Sequence, residues 1–500
     1  MYDYEVCIIG GGILGCMAAR ELSRFQIRTV LAERREDVCT GITRANTAVI
    51  YAGYDNRPGT LKANLCVQGN AAFDSLCMEL GVLIKRSGSL MVCFGPKGAK
   101  RLEKKLAWGR ENGVAGLRIL EKEEILQMEP CLSGKVFRAL YAPSTATVNP
   151  WELGIAAFEN AKQNGCVMKL STEVIQLCSL EEGFEVRLLN RKTGRQETSR
   201  VRCVLNCAGL WADKVREMAF PPKIRIFPQK ADYLIFDRKA QGVPRHILFY
   251  EPEEKGKGLT LVPTVEGALL AGASEEPCTD REAFGTTREG MEFVLDMCKK
   301  VLPGLSREML IRDFASVRPN PFAVEQAEDG SYQRTDKSYP DFVIEQECPS
   351  MISFLGIKTP GLTCCARLAE YAAAKLLETL RASGITAEPK PDFQPERAMP
   401  LRVRALSFEK WQHLATEREE LRSLVCSCER VTEGEILDAI QRGAVTVDGV
   451  KRRCGTGMGR CQGSRCEPKI LQLLARELGK LPEEICKDGS GSWMVKQMQK

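Results

Sequence analysis

Tyr4-Glu-Val-Cys-Ile-Ile-Gly-Gly-Gly-Ile-Leu-Gly15 is the stretch on which the reading of this chain turns. Tyr4 to Gly10 is an apolar run of strand length, and Gly10, Gly12 and Gly15 stand in the G-x-G-x-x-G spacing. Leu14, Met17, Ala18 and Leu22 then recur at helical spacing, and Ile27 to Glu33 reads as a second strand. A dinucleotide fingerprint requires this strand–loop–helix–strand context. Gly10 permits the tight turn, Gly12 lets the backbone approach a pyrophosphate, and Gly15 lets helix and strand pack closely. The helix N-terminus offers N–H groups and a partial positive charge to phosphates. Glu33 ends the second strand, where it can accept a hydrogen bond from a ribose 2′-hydroxyl and would repel a 2′-phosphate. The competing reading is a Gly-rich turn without a ligand.

Two distant stretches extend this pattern. Val201 to Trp211 is another buried strand ending in a small-residue turn. Phe354-Leu-Gly-Ile-Lys-Thr-Pro-Gly-Leu-Thr363 leads into a helix whose apolar positions Leu368, Ala372, Leu376 and Leu380 keep helical spacing. The cofactor domain is therefore assembled from separated pieces of chain, whereas a nicotinamide domain is usually contiguous. Between the pieces, Lys223 to Asp237, Leu259 to Pro263 and Ala268 to Gly272 alternate as half-buried strands do.

Composition narrows the class. The 500 residues are 44% hydrophobic and 27% charged, which suits a soluble globular protein of two to four units. A net charge of +6 with no block of like charges gives no footprint for nucleic acid. The apolar stretch Val6 to Ala19 follows acidic Asp3 and Glu5 and is broken by four glycines, so no signal peptide is expected there. No run reaches the ~18 apolar residues of a membrane span. The 22 cysteines then read as free thiols of a reducing cytoplasm, mostly small buried hydrophobes such as Cys7, Cys16, Cys203 and Cys207.

Cys39 to Asp55 with Pro58 to Ala63, Asn206 to Gly209, Lys255 to Gly258, Phe314 to Pro319 and Gly356 to Thr363 together resemble the glycine oxidase/D-amino-acid oxidase superfamily. Within it, these motifs are most similar to the glycerol-3-phosphate dehydrogenases and L-2-hydroxyglutarate oxidases. The resemblance covers about residues 1–385 and implies FAD. The fold it implies is α/β (α+β): a Rossmann-like FAD domain from pieces about 1–90, 140–215 and 335–385, with an antiparallel-sheet substrate domain at about 216–334. It also implies cofactor contacts from Gly10, Gly12, Gly15, Glu33, Arg44, Ala208, Gly209, Gly356, Gly361, Leu362 and Thr363.

Arg318 occupies the family position that meets the substrate's anionic group, where a guanidinium can pair two oxygens; the alternative is a structural salt bridge. Tyr51 replaces the histidine that related families carry, or it packs in the core. Lys358 stands where those families often have an acid, or it is a solvated loop lysine. Only His246 and His413 are available as histidines, and His246, before the strand Ile247 to Tyr250, faces substrate or core.

Ala387 to about Arg404 is proline-rich and irregular, and residues 386–422 read as a linker, with helical patterning resuming near Phe408. Cys426 and Cys428 form a C-x-C pair, and Cys461 and Cys466 a C-x₄-C pair inside Gly457-Met-Gly-Arg-Cys-Gln-Gly-Ser-Arg-Cys466. Residues 423–486 resemble a bacterioferritin-associated-ferredoxin-like [2Fe–2S] domain, followed by a polar tail at 487–500. Four thiolates on two loops can hold two irons. Zinc is the rival, but it has no redox chemistry to offer a flavin neighbour. Cys454 is a fifth nearby thiol, ranked below Cys461.

The expected reaction is oxidation of a small hydroxylated anion. The first candidate is sn-glycerol 3-phosphate, followed by an L-2-hydroxy acid and then an amino or imino acid. Electrons would pass through the cluster to a partner subunit, either a second flavoprotein or a membrane-associated subunit. The setting would be the cytoplasm or, through that partner, the inner face of a membrane. A non-catalytic electron-transfer subunit is the rival class.

Overall fold

The computed structural model describes residues 1–240, 242–252 and 258–495. Lys255, Gly256 and Lys257 of the family motif and the last five residues of the polar tail lie outside the described residues. The chain divides into two units: Met1–Arg34 with Cys39–Pro395, and Arg35–Val38 with Glu396–Lys500.

The first unit is built on two sheets. One has a parallel heart, where Tyr4–Ile9 pairs with Thr29–Ala32 and Gln196–Asn206, and the last of these pairs with Met351–Leu355. Their central residues Val6–Ile9, Val30–Ala32, Cys203–Leu205 and Met351–Leu355 are buried, as in a parallel sheet covered by helices. Helices Ile13–Leu22, Pro150–Gln163 and Cys365–Ala382 pack together beside it. Register matters for function. Ile9 lies beside Asn206, and Asn206 beside Ser353, so the three strands end together. The loops that follow them share one edge, where ligands of open α/β sheets bind.

The second sheet has ten strands and is largely antiparallel. Ile224–Phe236, Leu259–Pro263 and Leu269–Gly272 fall where alternation predicts them. The sheet also takes Ser89–Cys93, Arg118–Glu121 and Arg138–Ala142 from the chain between the first two cofactor pieces. Its strands alternate between two faces. Leu90, Val92, Leu234, Phe236 and Leu248 enter the core that includes Val294 and Leu295 of helix Arg288–Val301. Met91, Tyr233, Ile247 and Phe249 enter the opposite core, against which Tyr51 and Phe314 pack.

The segment expected to be a linker is ordered in both units. In the first, Pro389 bridges Phe25, and the Asn164 amide binds the Gln394 backbone in both directions. In the second, the Val403 amide donates to Glu435 at 3.0 Å, and Phe408–Glu417 is a helix. Proline removes donors without preventing docking through neighbouring amides.

The rest of the second unit packs helices Glu433–Gln441, Val447–Cys454 and Glu467–Leu478 around Ile436, Val450, Ile470 and Leu474. Thr432 and Glu435 close a capping box on the first of these helices. Buried Asp37 belongs to this unit and receives hydrogen bonds from Arg453 at 2.8 and 2.9 Å and from Arg452 at 3.1 Å. Among the described residues, no helix is long and apolar enough to cross a membrane.

Candidate functional site

The shared edge of the parallel sheet carries the dinucleotide cradle. Gly10 has φ +106°, and a Cβ there would sit 2.6 Å from the Cys207 carbonyl oxygen. A Cβ on Gly15 would lie 1.9 Å from the Gly10 carbonyl oxygen, so that helix cannot approach the strand with any side chain at this position. Gly12 differs: its Cβ would meet only Thr43 Oγ1, at 3.6 Å. The protein leaves room there, as a pyrophosphate needs.

Glu33 accepts from the Gly11 amide at 2.6 Å, which fixes the acid beside the loop where it was expected to meet a ribose. The Cys39 amide donates to the Gly11 carbonyl, and Thr43 accepts from the Ile13 amide at 3.0 Å. Arg44 closes the same short turn, Ile42–Arg44. Ala208 and Gly209 follow the strand Gln196–Asn206, and a Cβ on Gly209 would meet nothing within 4 Å. These open and crowded glycines fit an extended cofactor, with Glu33 as its acidic partner.

Gly356 joins the cradle to the substrate sheet. A Cβ there would strike Pro321 Cδ at 2.6 Å and the Pro319 carbonyl at 2.7 Å, so the 356–363 loop lies against the strand that carries Arg318. Gly361 is equally tight against Ile357 and Lys358. Leu362 and buried Thr363 lead into the last helix of this unit. Thr363 Oγ1 accepts from the Tyr51 amide at 2.9 Å.

Around that junction the structure gathers Arg318, Tyr51 and Lys358. Arg318 is half-buried. Although burial opposes its charge, hydrogen bonding to Tyr233 and the nearby Glu275 and Tyr51 raise its pKa above the usual guanidinium range. Tyr51 stacks on Phe249 at 5.7 Å, and burial pushes its phenol up to about 12. Lys358 is exposed at its tip, yet the surrounding protein, Lys62 and Arg318 lower its pKa. Its Nζ donates to Asn320 Oδ1 at 2.7 Å, and Asn320 donates to Gln229 at 3.1 Å.

Sequence reasoning missed Tyr233, Lys62 and Glu275. Tyr233 carried a signal, since it lies in a strand of period two opposite Phe314. Lys62 and Glu275 sit in irregular or end positions, where periodicity says nothing. His246 has other company. Its Nδ1 lies 2.7 Å from buried Glu129, which also accepts from the Arg245 and His246 amides. Its ring meets Tyr141 edge-on. His413 is exposed on its helix.

The second unit holds the cysteine site. Among the described residues, no three or more His, Cys, Asp or Glu side chains form a group suited to a single metal ion. The four thiols stand as two pairs. Cys428 and Cys461 are 3.6 Å apart, and Cys426 is hydrogen-bonded to Cys466. Two pairs suit two irons better than one tetrahedral zinc.

Cys426 is lowered to about 5, first by the Cys466 hydrogen bond and then by the Gly457, Glu429 and Cys428 amides, which outweigh burial. Burial raises Cys461, but the Gly463 amide, the Cys428 thiol and the Arg465 amide bring it below the usual thiol range. Gly459 has no room for a side chain, since its Cβ would meet Cys428 Cβ at 2.4 Å. Amides aimed at sulfur favour thiolate ligands and tune a cluster's potential. Cys454 is apart, ending a helix and bonded to the Val450 carbonyl at 3.2 Å.

Both units resemble known proteins. Residues 5–375 match the family described as FAD dependent oxidoreductase, and residues 424–476 match the BFD-like [2Fe-2S] binding domain. The chain is 38% identical over 496 residues to a glycerol 3-phosphate dehydrogenase of Caloramator mitchellensis, covering 98% of each chain. It is 24% identical over 493 residues to one subunit of the anaerobic glycerol-3-phosphate dehydrogenase of Escherichia coli K12, covering 94% of this chain and 88% of that one. In fold it is similar to the FAD-bound L-alpha-glycerophosphate oxidase of Mycoplasma pneumoniae, with a TM-score of 0.71 and 23% identity over 80% of this chain and all of that one. The chain belongs to the FAD-dependent oxidoreductase family of the D-amino-acid oxidase type, and it joins that enzyme to a BFD-like [2Fe–2S] domain.

Proposed function

We propose that this enzyme oxidises the secondary hydroxyl of sn-glycerol 3-phosphate, giving dihydroxyacetone phosphate, and sends the electrons through its [2Fe–2S] cluster to a partner subunit or a quinone-linked chain. The observation that carries this reading is the cationic cluster of Arg318, Lys358 and Lys62 beside the cradle, with Glu275 among them. A doubly charged phosphate would answer more of that charge than a single carboxylate would. Similarity to glycerol 3-phosphate dehydrogenases along nearly the whole chain supports it further.

FAD, held at the Gly10–Gly15 loop, would supply a hydride acceptor, and a cluster on Cys426, Cys428, Cys461 and Cys466 would supply one-electron transfer. In this reading, Arg318 grips two phosphate oxygens, held in aim by Tyr233. Lys358 adds charge at Nζ and is positioned by Asn320. Tyr51 keeps its phenolic proton at neutral pH and serves as a hydrogen-bond donor over Phe249. Similarity to a protein named as one component of an anaerobic dehydrogenase supports an assembly in which a partner takes the electrons and provides any membrane contact, leaving this chain cytoplasmic.

The test is an anaerobic titration followed by flavin absorbance. Bleaching by sn-glycerol 3-phosphate, and not by L-2-hydroxyglutarate or small amino acids, is the expected result. Bleaching by the hydroxy acid alone would replace the substrate, and bleaching by none would favour a non-catalytic electron carrier.

A further inference from the structure

The cysteine site is lopsided. Cys426 and Cys466 are buried, whereas Cys428 is exposed and Cys461 half-exposed. Any cluster held by these four presents its Cys428–Cys461 side to solvent. Three arginines lie on the loops that carry those thiols. Arg430 is two residues after Cys428. Arg460 lies between Cys461 and Gly459, whose backbone is pressed against Cys428. The Arg465 amide bonds the Cys461 sulfur. All three side chains are exposed, and among the described residues none forms an ion pair.

The acids of the same loops are already answered. Glu429 is buried beside Arg404, and Glu467 pairs with Lys487. Leu424, 47% exposed on the hairpin that leads to Cys426, adds an apolar contact. The result, among the described residues, is a positive rim without ion-pair partners on the loops that carry the exposed thiols.

We infer that this rim is the electron-exit surface and that it docks a protein whose own redox centre is ringed by acidic side chains. The inference rests on the proposed transfer of electrons through the cluster to a partner. One electron leaves the reduced cluster and reduces the partner's centre, with no bond made and no proton moved. Complementary charge would raise the encounter rate and fix the orientation. Exposure of Cys428 shortens the approach of a docked surface.

The test uses the full-length holoenzyme and two protein probes: plastocyanin, which is acidic, and cytochrome c, which is basic. The variant carries Arg430→Gln, Arg460→Gln and Arg465→Gln, and a companion carries Lys at the same positions. Binding is measured between oxidised proteins at low and high salt. Transfer is measured after reduction of the cluster with dithionite, so neither arm needs the substrate. The glutamine variant is expected to keep its iron and flavin spectra. It should lose on the order of 10-fold or more of its affinity and rate toward plastocyanin at low salt, and none toward cytochrome c. The lysine companion should retain most of both.

Equal losses toward both probes, or none toward plastocyanin, would overturn the inference. A failure of sn-glycerol 3-phosphate to bleach the flavin would remove the proposed substrate but leave this result standing.

Discussion

At the scale of single residues, the most informative positions are those where the protein leaves space. Gly12 has nothing but Thr43 Oγ1 near its missing side chain, so Gly12→Val fits the apoprotein but intrudes on a bound pyrophosphate. The variant should purify folded and without flavin. A full complement of FAD, measured by absorbance against protein, would contradict the fingerprint. Arg318 is the converse, a charge held in place for something. Arg318→Ala is expected to cost on the order of 2–5 kcal/mol in kcat/KM, and Arg318→Lys less, because a point charge cannot replace the fork. Steady-state kinetics with sn-glycerol 3-phosphate would measure both.

Asp37 offers a pH test. Burial raises its pKa, but Arg453 and Arg452 together bring it below the ordinary 3.8. Its contribution to stability is therefore present above that value and is lost as pH falls through the lower, folded pKa. Asp37→Asn should destabilise the second unit by ~3–5 kcal/mol at neutral pH, as breaking a buried pair does, and should flatten its acid dependence in thermal melts.

At the scale of elements, His246 shows how a strand start leaves a side chain's role open. Its position before an apolar strand admitted a catalytic role, but Glu129 holds both its ring and its amide. His246→Gln should therefore slow flavin reduction by far less than the ~100-fold that loss of a general base costs, measured by stopped flow. A slowing of that size would return the residue to the chemistry. The sequence made the parallel strands, the glycine loops and the cysteine pairs legible because each has a local cause: an apolar run, a missing side chain, or a fixed spacing. It did not reveal that Ser89–Cys93 and Arg138–Ala142 join the substrate sheet, since strand pairing across long separations leaves no local trace. Lys62 was hidden for a similar reason. Asp341, far along the chain, accepts from the Leu61 and Lys62 amides at its helix start, and such a contact leaves no local trace. The proline-rich stretch holds the boundary between the units at Pro395, while its docking contacts leave no mark in composition.

At the scale of the whole molecule, the two units have separate cores, and the residues expected to meet each cofactor fall within one unit. Replacing Cys426, Cys428, Cys461 or Cys466 with Ser should remove the iron while the flavin stays bound. Substrate should still bleach the flavin once, and turnover with the natural acceptor should stop. Cys454→Ser should leave the cluster spectrum unchanged, since that thiol is committed to its own helix. Normal turnover without iron would show that electrons leave by another route.

The flavin cradle also sets a timetable for synthesis. Its three loops end neighbouring strands, yet they are encoded near residues 10, 208 and 360. A ribosome that has made the glycine fingerprint has made only a third of a binding site, and the strand Met351–Leu355 must emerge before the edge is complete. Nascent chains stalled short of Thr363 would then stay colourless in the presence of FAD, however well their early strands had formed. Uptake of the yellow cofactor would mark the moment at which the first unit is whole.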